Sequence, residues 1–348
     1  MTFNLFGRHR HDMIKPTTRV YRTQTVEGYS IPAIIHNVQY HFVDLDVYEN
    51  GRVHCWNFED LEHFKRDVQR GWVVSSIPDN EDISIFGLGT WSIGNGDWIF
   101  NKTSFINYVV ELIRKLNPRM ENIFSFQEKK VNGVTIGENG KGTIYKEQGS
   151  GANDIFPGKT EGESINLFYK VADSEYFLAK LIVYSDGILE ISRLEAPIVV
   201  NIDELEVLVK EGMLLTDIPI GSTVRIYGLG KFSIKEVLYC ASVREKLLEI
   251  RDLQRRLRGE PTTIEICRIA HRSYLENPTI DSRDKLRIAY ENVPDHQKVF
   301  VGNMDTKDIE VRMIIYGEQE IERWSHYQIA KERGDDLPSI KVPRPRDE

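Results

Sequence analysis

With 348 residues, 41% of them hydrophobic and 28% charged, the chain has a globular composition that excludes wholesale disorder, and it is long enough for two or three cores. No run approaches the roughly 20 apolar residues that a membrane-spanning helix needs. A formal net charge of -8 and a pI near 5.7 oppose a nucleic-acid surface, which requires concentrated Lys and Arg, and favour solubility or a basic protein partner.

Residues 1–30 read as an N-terminal extension. "MTFNLFGRHRHDMIKP" has basic residues but neither an apolar h-region nor a small-residue cleavage site, so the expected residence is cytoplasmic. Residues 31–118 form a first module. It begins with the strand-like run "YHFVDLDVY" and turns at Asn50-Gly51, residues that tolerate positive φ in a two-residue hairpin. A helix follows, capped by Asn57 with Asp60 three residues on, closed by Gly71, and striped with Phe58, Leu61, Phe64 and Val68. Then come "GWVVSSIP", "IFGLGTWSI" and a second helix over 103–116 that stops before Pro118.

Residues 119–163 read as a Gly-rich insertion, a weak hairpin in "KKVNGVTIGENG" and then a flexible linker near 147–163. No GxxxxGK[ST] pattern occurs in it, so it is not read as a phosphate loop.

Residues 164–259 repeat the first module. "YFLAKLIVY" and Asp186-Gly187 stand for the first strand and turn, Asn201 with Glu204 for the capping box, and Gly212 for the helix stop. "GMLLTDIP" matches "GWVVSSIP", and "IYGLGKFSI" matches "IFGLGTWSI" at the same spacing. A helix over 235–258 closes the copy. Each unit reads ββαββα, and the pair is expected to pack with pseudo-twofold symmetry. The repeated GLG lacks the third glycine of a dinucleotide fingerprint and is read as a bulge or a close strand approach.

Residues 260–348 differ. "TTIEICRIAHRSYLENP" and "DSRDKLRIAYENVP" predict helices, "QKVFVGN" and "DIEVRMIIY" predict strands, "GEQEIERWSHYQIAKERG" predicts one capped helix, and "DDLPSIKVPRPRDE" an extended tail. The fold class is therefore α+β: tandem duplicated modules followed by a mixed helix/strand region.

The stretches "VYENGRVHCWNFEDLEHFKRDVQRGWVV" and "YENVPDHQKVFVGNMDTKDIEVRMIIYGEQEIERWSHYQIA" resemble a group of uncharacterised bacterial proteins built from such modules. The resemblance implies a bacterial origin and carries no activity onto these residues.

Three groups of residues could carry function. Asp44 and Asp46 alternate onto one strand face near His36, His41 and His54; they read as a solvated polar face or, with a histidine, as ligands for a divalent metal. Asp305, Lys307, Asp308 and Arg312, with Glu310 and Asp295, read as a turn laced by internal salt bridges, or as the Asp and Asp-x-Lys set of a metal-dependent nuclease. Trp56 and Trp98 have no aromatic counterpart in the second copy and read as satellite core or, if exposed, as interface anchors. Cys55, Cys240 and Cys267 lack CxxC spacing and read as buried, reduced thiols. No Ser-His-Asp order, GxSxG or HExxH appears, so no catalytic residue, metal or cofactor is assigned. The expected function is protein binding without catalysis, as an immunity-type protein with a basic partner; the alternative is a metal-dependent hydrolase or nuclease.

Overall fold

The computed structural model describes residues 18–21, 27–56, 60–139 and 162–346; Asn57, Phe58 and most of the expected linker lie outside them. The chain divides into two compact units. The first takes its described residues from 1–160, 164–182 and 188–241, and the second from 161–163, 183–187 and 242–348.

In the first unit both copies contribute to one mixed sheet. The first copy supplies β1 (Thr18–Tyr21), β2 (Glu27–Asn37), β3 (Gln39–Tyr48), β4 (Val53–His54), β5 (Val73–Val74), β6 (Asp82–Ile85) and β7 (Gly89–Trp98), with helices α1 (Leu61–Arg70) and α2 (Lys102–Leu116). A separate hairpin, β8 (Phe126–Val131) and β9 (Val134–Asn139), turns at Asn132-Gly133, both at positive φ, as the insertion predicted. The second copy supplies β10 (Gly162–Ala172), β11 (Glu175–Tyr184), β12 (Leu189–Ser192), β13 (Ile198–Val200), α3 (Ile202–Lys210), β14 (Leu214–Leu215), β15 (Thr223–Ile226) and β16 (Gly230–Cys240).

The strand order is mirrored about its centre: β2-β3-β6-β7 from one copy meets β16-β15-β11-β10 from the other. In each half one parallel pairing recurs, β3 with β6 and β11 with β15. The halves join where β7 and β16 run antiparallel, and the equivalent residues Ile93 and Ile234 pair with each other there. A residue that faces its own counterpart marks a local twofold relation. Consistently, the Leu88 carbonyl accepts from Ala241 N–H at 2.8 Å and its counterpart Leu229 accepts from Ile99 N–H at 3.0 Å.

The repeated GLG serves this joint. Gly87 and Gly228 take φ of 68° and 80° in the turns between paired strands, a region costly for residues with a Cβ. Gly89 and Gly230 lie where the other copy's backbone arrives: a Cβ on Gly89 would sit 2.3 Å from the Tyr239 carbonyl oxygen, and one on Gly230 would sit 2.6 Å from that of Asp97. Close strand approach is therefore the reason for the repeat.

Several boundaries differ from the sequence reading. The long strands β2 and β10 start before the expected module bounds at 31 and 164 and stand ahead of the first strand read in each copy. Helix α1 is capped by Asp60, whose side chain accepts from His63 N–H at 2.7 Å, so it starts later than a cap at Asn57 implies. The closing helix of the second copy starts at Val243, capped by Ser242, because residues up to Cys240 are held in β16 by pairing with β7. That helix, α4 (Val243–Leu257), lies in the second compact unit. Its inward face explains this: Glu249 lies 3.6 Å from His296 Nε2, and Asp252 accepts from Thr263 N–H at 3.0 Å.

The second unit continues with α5 (Thr263–Glu276), α6 (Ile280–Glu291), α7 (Ile309–Tyr316) and α8 (Ser325–Arg333). Its core gathers Cys267, Tyr274, Leu286, Tyr290, Val293, Val301, Val311 and Ile314. The two strands expected here are helical instead: Asp295–Phe300 is a 3-10 turn and "DIEVRMIIY" is α7. The latter is apolar on adjacent positions, Met313 and Ile314 both being buried, which a strand with one buried face would not allow. "GEQEIERWSHYQIAKERG" divides at Trp324 into a 3-10 turn and α8 with no side-chain cap. The tail packs: Val342 lies against the core, and Tyr274 Oη donates to the Pro343 carbonyl at 2.7 Å.

Candidate functional site

Asp44 is the most tightly held of the expected site residues. In β3 its carboxylate accepts from Lys180 Nζ at 2.7 Å and pairs with the Arg193 guanidinium. Lys180, on β11, is the second copy's residue at the position of Asp44, so equivalent positions of opposite charge bind each other. Four strands of the sheet path separate β3 from β11, so within this unit the sheet must fold over to bring them together.

Burial would raise the Asp44 pKa, but Arg193 and Lys180 outweigh it and hold the group at about 2. Asp46 goes the other way, raised mainly by burial despite a hydrogen bond from Ser30. Lys180 is lowered by burial, against the pull of Asp44. Cys55 beside them is pushed up to about 12 by burial and then by Asp46 and Asp44, so it is an inert thiol. Arg193 is 1% exposed and held at a φ of 62°, with its guanidinium also over the Phe42 ring. Asp44 is thus engaged internally on both oxygens rather than presented on an open acidic strand face, which corrects the solvated-face expectation for it. Among the described residues no three His, Cys, Asp or Glu side chains are grouped as a metal site would require.

The two tryptophans separate. Trp98 is half-buried and stacks on Phe232 of the other copy at 6.0 Å, so it belongs to the joint. Aligned from the GLG, its counterpart is Tyr239; the sequence comparison missed this because identity fades after Ile234. Trp56 is 50% exposed at a φ of 33°, beside His41 at 5.3 Å and Trp72 at 6.5 Å. Of the two tryptophans, Trp56 is therefore the exposed one.

The 303–312 segment is a structural knot. Asn303 Oδ1 accepts from Asp305 N–H at 2.9 Å and Thr306 N–H at 2.8 Å, and Lys307 takes a φ of 52°. Asp308 accepts from Tyr290 Oη at 2.5 Å, while Arg312 donates to Tyr290 Oη at 3.1 Å and to Glu320 at 2.8 Å. Asp295 pairs with Lys298. Asp308 and Arg312 thus come together, whereas Asp305 and Lys307 stay at the turn. The sequence reading expected salt bridges within this turn; among the described residues it is held instead by the Asn303 side chain on its own backbone and by bonds outward to Tyr290 and Glu320.

An exposed acidic face lies elsewhere. From Glu195 to Glu211 the chain has five acids, Glu195, Asp203, Glu204, Glu206 and Glu211, against Lys210 alone. Glu195, Asp203, Glu204 and Glu211 are exposed, and Val199 and Val207, between them in sequence, are 64% and 48% exposed. The capping box, with Glu204 and Asn201 bonded reciprocally at 2.9 Å, fixes α3 at this surface. Helix α1, at the same place in the first copy, has Lys65, Arg66 and Arg70 beside Glu62 and Asp67, and its pairs are internal, at 2.7 Å for Lys65–Glu62 and 3.1 Å for Arg70–Asp67. A charge count by helix would have found this difference; counting over the whole chain concealed it.

No helix of the described residues is long and apolar enough to cross a membrane. The family model described as a domain of unknown function, DUF7638, matches residues 16–120 and again 152–261, and a second, DUF7639, also a domain of unknown function, matches 262–340. No curated protein and no solved structure matches the chain.

Proposed function

We propose that this chain, which belongs to the DUF7638 family with two copies of its domain, is a non-catalytic bacterial protein-binding module of the immunity type, neutralising a basic partner such as a toxin nuclease. The observation that carries this reading is the run of exposed acidic and apolar residues along the chain, Glu195, Val199, Asp203, Glu204, Val207 and Glu211, the last four at helical spacing on and just after α3. A protein that binds phosphates must present a cationic surface, and an inhibitor that covers it needs anions on a rigid support. Helix α3 is such a support, with its capping box and its Leu205 buried beneath. Charges on an exposed rim steer encounter and select the partner, while the valines supply area removed from water. Trp56, exposed in the first copy, is a second anchor.

The test is affinity capture from the native host with the wild type and with Asp203→Lys/Glu211→Lys as bait, followed by binding measurements on the purified pair. A basic protein held by the wild type, weakened about tenfold or more by the double variant and weakened by salt, is the expected result. A partner that binds both baits equally, or one that is itself acidic, would sink the reading.

A further inference from the structure

We infer that the second unit carries a separate site for an acidic peptide segment, in the groove where α4 ends and α5 begins. The groove has a volume of about 520 Å³, and its lining includes Arg256, Arg268, Arg272, Ile269 and Pro261 together with Glu260 and Glu265.

Charge argues for the occupant. Between Arg251 and Arg272 the chain has six arginines against Asp252, Glu260 and Glu265, a basic island in a chain of net charge -8. Two of the three acids are turned to internal tasks. Asp252 is buried and accepts from Thr263 N–H at 3.0 Å and from Arg255 at 3.2 Å; Glu265 accepts from Thr262 N–H at 2.8 Å in the cap of α5. Arg256 pairs with Glu163, and Arg268 donates to the carbonyls of Val301 at 3.2 Å and Phe300 at 2.5 Å, which fixes its guanidinium at the groove. Arg272, one turn further along α5, is exposed and has no carboxylate partner among the described residues.

Shape argues for a peptide rather than an ion. Glu265, Arg268, Ile269 and Arg272 recur at helical spacing on the side of α5 opposite the buried Cys267 and Tyr274. Ile269 at 52%, Ile266 at 38% and Phe300 at 52% exposed put an apolar strip beside the guanidiniums. An isolated anion would leave that strip in water. A segment alternating carboxylates with apolar side chains covers it and forms fork-shaped pairs with arginine.

The experiment selects a random-peptide phage library on the full chain, then measures fluorescence anisotropy with a fluorescein-labelled copy of the most enriched peptide. Expected are peptides rich in Asp or Glu and Leu or Phe, whose affinity falls about tenfold or more with Ile269→Ser/Arg272→Glu and with Arg256→Glu, and falls with added salt. Glu211→Lys on α3 should leave this binding unchanged, which separates the groove from the acidic face. All three groove positions are surface-accessible, and unchanged thermal unfolding verifies that the variants are folded. Selection without acidic enrichment, or equal binding by the groove variants, overturns the site. Binding of inorganic pyrophosphate with no acidic peptide selected would assign the groove to a free phosphate-bearing ligand and overturn the peptide.

Discussion

Helix α1 and helix α3 occupy equivalent places in the two copies, yet one balances its charges internally and the other projects acids into solvent. Where the copies meet, the pattern reverses: glycines, Ile93 with Ile234, and the mutually paired Asp44 and Lys180 are tied to each other's presence. Duplication therefore separates two kinds of position. Those at the joint constrain one another across the copies, and those on the outer helices are released to acquire different surfaces.

The strongest way to break this comparison is at the joint. Gly89→Ala puts a methyl group 2.3 Å from a backbone oxygen and 2.9 Å from Cys240 Cα, neither of which can give way without separating the strands. A loss of about 4 kcal/mol or more is expected in urea unfolding followed by tryptophan fluorescence. Gly87→Ala in the same tripeptide adds a Cβ at a φ of 68° and should cost about 1 kcal/mol. Equal losses would mean that the turn, not the close approach, is what GLG provides.

Asp44→Asn comes next. It leaves Lys180 and Arg193 buried without their shared counter-charge, and about 3 kcal/mol of destabilisation is expected. Adding Lys180→Gln should be less than additive, since the two residues share one interaction, and a double-mutant cycle reads the coupling. Strict additivity would show that the pair contributes nothing jointly.

The same carboxylate makes a pH prediction. Its folded pKa of about 2 lies below its ordinary 3.8, so its contribution is present above pH 3.8 and is lost as pH falls toward 2, in all about 2 kcal/mol. Asp46, whose pKa is raised mainly by burial, acts with the opposite sign, being relieved when protonated. Unfolding measured at several pH values should therefore fall more steeply below pH 4 for the wild type than for Asp44→Asn. Parallel slopes would deny Asp44 this role.

The duplication, the hairpin glycines and the Asn201 capping box were legible because each rests on local residue chemistry, and GLG because it recurs in step with "GWVVSSIP", close strand approach being one of the two readings it allowed. The mate of Asp44 was not. The alignment set Lys180 opposite it as a mere substitution, and only the folding over of the sheet turns a difference between copies into a contact between them. Likewise "DIEVRMIIY" carries β-branched residues that suit a strand, and the tertiary core of Tyr274, Leu286 and Tyr290 decides for a helix. Trp56 could be singled out by its lack of a counterpart, but neither its φ of 33° nor its 50% exposure has a signal in the local sequence.

On the outer helix the expected effects shrink. Asn201→Ala removes the acceptor for Glu204 N–H at 2.9 Å and should cost about 1 kcal/mol, fraying the first turn of α3. Glu195→Ser and Glu211→Ser remove charges whose side chains are exposed, and stability should stay within about 0.5 kcal/mol of the wild type. Because Glu211 stands at the C-terminal end of α3, where the helix dipole disfavours an anion, its loss should if anything stabilise. A residue unfavourable to its own helix yet harmless to remove is held by something other than folding. If both variants unfold like the wild type while a basic partner binds them less well, the acids belong to the surface the second copy was released to build; if they destabilise by as much as Asn201→Ala, they belong to the scaffold, and the division between joint and outer helix fails.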